Sequence, residues 1–139
     1  MVRVVHLALT AILLATLSGC GSNGPFKYVP VSGKVTYEDG TPIPVGGMRI
    51  IFVALDTPAV DGAHPRPAMA HVDASGQFSA ATSYKYGDGL IPGRHKVVLQ
   101  APAESEGQPV IPKSCLSEVT TPLVVDTADR PLEIKVPKP

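Results

Sequence analysis

Apolar and polar positions alternate along this chain in short runs, each closed by glycine, proline or aspartate. That period belongs to strands that bury one face. Val31, Gly33, Val35 and Tyr37 share one face of the first run, and Ser32, Lys34 and Thr36 the other. Glu38-Asp39-Gly40-Thr41-Pro42 reads as a turn, because Asp-Gly accepts positive φ and proline ends ladder pairing. Met48, Ile50, Phe52 and Ala54 share a face of the second run, and Ile51 and Val53 make its other face partly apolar. That pattern predicts a central strand. Residues 68–73 predict a third strand, and Ala74-Ser75-Gly76 a tight turn. Residues 77–82 are then expected to return antiparallel, with Phe78 and Ala80 inward. In residues 94–101, His95, Val97 and Leu99 face one way and Lys96, Val98 and Gln100 the other. Residues 123–126 and 132–136 predict two closing strands around a turn at 127–131. Seven short strands between turns predict an all-β fold, a seven-stranded antiparallel β-sandwich. Nothing after residue 20 carries a sustained helical period.

The start of the chain follows another pattern. Arg3 precedes an apolar run that ends in Leu17-Ser18-Gly19-Cys20. A charged n-region, a short apolar h-region and small residues at the cut describe an export signal. The run is shorter than the ~20 apolar residues that a membrane span needs. Its ending resembles the lipobox of bacterial lipoproteins, which implies cleavage before Cys20 and acylation of its sulfur. Residues 1–19 are then a signal peptide, residues 20–30 a flexible tether and residues 31–137 the sandwich. Gly21 after the lipid cysteine, rather than Asp, resembles the outer-membrane sorting pattern of enteric bacteria. The expected location is extracytoplasmic, on a membrane, with lipid as the anchor.

Composition narrows the partners. The chain has 12 basic and 12 acidic residues, and cleavage before Cys20 removes only Arg3. No basic excess points to nucleic acid. Gly at 13 and Pro at 15 are frequent, yet the apolar fraction of 44% favours a packed fold over disorder. There are two cysteines. Acylation of Cys20 would take it out of any disulfide and leave Cys115 as a lone thiol, expected as a small buried or half-buried side chain.

The order of motifs carries a resemblance. Val31-Ser32-Gly33-Lys34-Val35-Thr36-Tyr37, then Asp39-Gly40-Thr41-Pro42-Ile43-Pro44, then Ile50-Ile51-Phe52, resembles the opening of carboxypeptidase-regulatory-like domains. Val72-Asp73-Ala74-Ser75-Gly76-Gln77-Phe78 looks like their Thr-Asp-x-x-Gly-x-Phe hairpin, and Pro92-Gly93-Arg94-His95-Lys96-Val97 like their Pro-Gly-x-Tyr-x-Val strand. With Ile111-Pro112-Lys113 and Thr121-Pro122-Leu123, the whole is similar to small surface lipoproteins of planctomycete-type bacteria. The resemblance implies a transthyretin-like sandwich, in domains that are typically non-enzymatic. His95 stands where such domains usually have Tyr, and Cys115 close to another such Tyr.

Candidate chemistry is sparse. The signature Tyr-Arg-Gly-Ser end of the transthyretin-like hydroxyisourate hydrolases is absent, since the chain ends Lys135-Val136-Pro137-Lys138-Pro139. No serine has a Gly-x-Ser-x-Gly setting. No catalytic residue and no cofactor is expected. His64, His71 and His95 lack ligand spacing, and no metal site is expected from them. Asp56, Asp61, Asp73 and Asp88 lie in or beside turns without the Asp-x-Asp-x-Asp-Gly run of a calcium loop. Tyr84 and Tyr86, beside Asp88, form an aromatic and polar loop of the kind that carbohydrate binders use. The expected function is a lipid-anchored, non-catalytic structural or protein-interaction module of the cell envelope. The alternative is carbohydrate or small-ligand binding through residues 55–66 and 84–89, and a metal-binding module comes third.

Overall fold

The computed structural model describes residues 24–102, 107 and 109–139. Residues 1–19 and Cys20, the expected signal peptide and the expected acylation site, lie outside the described residues. Short strands form where alternation was densest: β1 (Gly33–Tyr37), β2 (Arg49–Ala54), β3 (Ala68–His71), β4 (Gln77–Phe78), β5 (Arg94–Gln100), β6 (Val124–Asp126) and β7 (Leu132–Val136). The helical pieces among the described residues are two 3-10 turns, Lys113–Leu116 and Thr127–Asp129. The strands make two sheets, ordered β4-β1-β7 and β3-β2-β5-β6. The chain is thus mostly β, with two sheets sharing one core, an arrangement consistent with a β-sandwich.

The period-2 pattern puts the right side chains inside. Ile50 and Phe52 of β2, Val97 and Leu99 of β5, and Leu132, Ile134 and Val136 of β7 are all buried. Fully burying an aliphatic or aromatic side chain of this size contributes about 1.5–3 kcal/mol. β2 lies between β3 and β5, the central place its two-sided apolar pattern predicts. His95 joins the core, with Nδ1 3.1 Å from the Gly93 carbonyl oxygen and its ring edge-on to Phe52.

Four expectations are corrected. Pairing is not antiparallel throughout, because β1 and β7 run parallel from Gly33↔Leu132 to Tyr37↔Val136. These strands come from opposite ends of the domain, so no hairpin sets their relative direction. Residues 77–82 do not form one returning strand beside β3. Only Gln77–Phe78 is strand, and it pairs with β1 in the other sheet. The turn before it therefore carries the chain from one sheet to the other, and an isolated Met69↔Thr82 bridge touches back. That change of sheet breaks the alternation, so Ala81 is buried rather than Ala80. Thr36, expected outward, is also buried, and Lys135 Nζ donates to its hydroxyl at 3.0 Å.

The register divides the loops between two ends. Residues 24–32 lead into β1 at Gly33, and Ala54 at the end of β2 pairs with His95 at the start of β5. Leu55 N–H donates to Arg94 O, and Thr127 N–H to Gly93 O. Residues 24–32, 55–67, 79–93 and 127–131 therefore gather at one end, here the leading end. The turn after β1, closed by Tyr37 N–H on Thr41 O, lies at the other.

Candidate functional site

Asp88 organises the aromatic loop. Its carboxylate accepts from three amides: Ser83 at 2.8 Å, Tyr84 at 3.0 Å and Lys85 at 2.8 Å. A short carboxylate facing successive N–H groups is a local alternative to ladder pairing, which is why aspartate suits such turns. Thr82 Oγ1 accepts from Gly87 N–H, and Ser83 Oγ donates to Gly89 O. The loop is closed by its own side chains.

Residues 24–30 lie against that loop. Val29 and Leu90 exchange two backbone hydrogen bonds, of 2.8 and 3.0 Å. A Cβ on Gly24 would stand 2.8 Å from Tyr84 Cγ, so that backbone approaches the ring closely. Tyr28 packs beside it. Burial, and next the charge of Asp88, raises the phenol's pKa and keeps it neutral.

These residues frame two clefts at the leading end. One, of about 140 Å³, is lined by Phe26, Tyr28, His64, Arg66 and Tyr84. The Arg66 guanidinium stands 6.0 Å from the Tyr84 ring centre. The other, of about 490 Å³, is lined by Phe26, Lys27, Tyr28, Lys85 and Asp88. Tyr86 stands clear of both and is 97% exposed. The three residues singled out by sequence thus have separate settings. Tyr84 lines a cleft, Tyr86 projects into solvent, and Asp88 is turned onto backbone amides.

The remaining candidates lie apart. His64 is at the leading end, His71 closes β3, and His95 is in the core. Burial lowers the His95 pKa and favours the neutral ring. Among the described residues no three His, Cys, Asp or Glu side chains gather as metal ligands would. Asp56 pairs with Arg94 at 2.7 Å. Asp73 accepts from Ser75 Oγ and from the amides of Ser75 and Gln77, which lowers its pKa. Cys115 is fully buried, and that burial raises its thiol pKa.

Sequence reasoning missed Phe26 and Tyr28, and it named Arg66 only as the end of the 55–66 loop, not as the partner of Tyr84. Residues 24–30 carry no strand alternation, and Arg66 sits between two prolines in a long loop. Only the folding of both segments onto Tyr84 brings them together. No family model, curated protein or solved structure matches the chain.

Proposed function

We propose that this chain is a lipid-anchored lipoprotein of the bacterial cell envelope, carrying a non-catalytic structural or protein-interaction domain. The observation that carries the reading is Leu17-Ser18-Gly19-Cys20 at the end of a short apolar run behind Arg3. A diacylglyceryl group has two chains. Each buried methylene contributes about 0.8 kcal/mol, and one chain alone gives only marginal binding. Two chains on Cys20 would hold the domain stably at the membrane, and Gly21 favours the outer one. The domain is read as a seven-stranded, transthyretin-like sandwich of the carboxypeptidase-regulatory-like kind. The two-sheet core and the motif order support that assignment. Support for a non-catalytic role comes from the use made of the polar groups. Asp56, Asp73 and Asp88 are each engaged in ion pairs or turn hydrogen bonds.

Replacement of Cys20 by alanine tests the anchor. The Cys20→Ala precursor should keep its leader and lack lipid, as read by intact mass after detergent extraction. A cleaved variant that still partitions with lipoproteins would refute it.

A second reading, binding of a carbohydrate or another small ligand, draws on the cleft that holds Tyr84, His64 and Arg66. That cleft, of about 140 Å³, is small beside the roughly 300–1,000 Å³ of most ligand sites. The neighbouring one, of about 490 Å³, reaches that size, but Asp88, which lines it, is turned onto three backbone amides, which places this reading second.

A further inference from the structure

We infer that the leading end of the two-sheet domain rests on the lipid surface, with Tyr86 and Tyr84 at headgroup depth. This rests on the reading of Cys20 as the lipid anchor. Three observations carry it. Sequence alone allows a tether of residues 20–30, long enough to let the domain turn freely. The fold shortens it, because Val29 is bonded to Leu90 and Gly24 is packed on Tyr84. Four peptide units separate Cys20 from Gly24, and at ~3.3–3.6 Å each they span at most about 14 Å. The surface that holds the acyl chains therefore lies within that distance of Gly24, at the end where Tyr84 and Tyr86 sit.

The chemistry of that end fits the neighbour. Tyr86 is 97% exposed and Tyr84 44%, and Val60 of the adjacent loop is also exposed. A tyrosine has an apolar ring and a wet hydroxyl, the combination favoured where hydrocarbon meets water. Lys27 and Lys85 stand exposed beside them with long stems that can lie along the surface while the ammonium stays hydrated. Asp61 and Asp129 share the same end, so aromatic insertion rather than net charge would hold it. The turn after β1 then points away from the bilayer, leaving the trailing end for an envelope partner.

The chain contains no tryptophan, so single tryptophans report depth without background. Tyr86→Trp and Glu38→Trp place one probe at each end, both on exposed side chains. Each full-length chain is processed in cells, extracted and reconstituted into phosphatidylcholine vesicles containing lipid brominated near the headgroup. Tyr86→Trp should lose fluorescence to the brominated lipid, and Glu38→Trp should not. Equal quenching at both positions, quenching at Glu38→Trp alone, or none at either overturns the inference. The mass of the Cys20 peptide from the same sample separates the two failures. An acylated Cys20 with an unquenched Tyr86→Trp refutes the orientation alone, whereas an unmodified Cys20 refutes the anchor and the orientation with it.

Discussion

Phe52 and Phe78 meet across the two sheets, with ring centres 5.9 Å apart and planes tilted by 53°. Phe52 belongs to β2 in the four-stranded sheet, and Phe78 to the two-residue strand β4 in the other. Tilted rings at this separation gain quadrupole attraction beyond their burial. β4 is too short to be held by its ladder alone, so Phe78 anchors it to the core. Phe78→Ala should cost about 3–5 kcal/mol of stability, and Phe78→Leu distinctly less. Urea unfolding monitored by circular dichroism reads the difference. An unchanged midpoint for the alanine variant would contradict the core role.

Gly89 governs how residues 24–30 dock. Its φ is +99°, and a Cβ there would fall 1.9 Å from Val29 O. Gly89→Ala must strain the backbone or push Val29 away, at roughly 1–3 kcal/mol. Hydrogen exchange should then speed up at the Val29 and Leu90 amides, while the β2 and β5 amides stay protected. Undiminished protection at Val29 would mean that the segment docks by other contacts.

His95 predicts a pH dependence. Burial lowers its folded-state pKa from the ordinary 6.5, so the unfolded chain binds the proton more readily. The stabilisation is complete above pH 6.5 and is lost as pH falls from there through the folded-state value. Thermal midpoints should decline through that window in the wild type and flatten in His95→Gln. Parallel decline in both would assign the effect to another group.

Cys115 is predicted to be inert in the native protein. The thiolate is the reactive form, and burial disfavours it. At mildly alkaline pH a thiol reagent should label Cys115 only after denaturant is added. With Cys20 acylated, one thiol per chain reacts after unfolding. A second reactive thiol would place a free sulfur at Cys20.

Much of the core was legible from alternation, and the limits of that signal are specific. His95, Val97 and Leu99 share a buried face, as do Leu132, Ile134 and Val136. Alternation says which side chains point inward, because successive residues of a strand must face opposite ways. It does not say which strand lies alongside. The parallel pairing of β1 with β7, and the placing of β4 beside β1, were invisible for that reason. Asp88 was visible as a turn residue between glycines, but its three amide partners depend on the path of the loop.

By itself the sequence determined the strand pattern, most of the inward faces and the short apolar run that ends in Leu17-Ser18-Gly19-Cys20. All three are local signals, set by side-chain period and by the spacing of neighbours along the chain. Only the tertiary structure decided that residues 24–30 fold back onto Leu90 and Tyr84, and that Tyr86 shares an end with the chain's entry into β1. Those relations join residues roughly sixty positions apart. Their register comes from packing two sheets around one core, which no local pattern encodes.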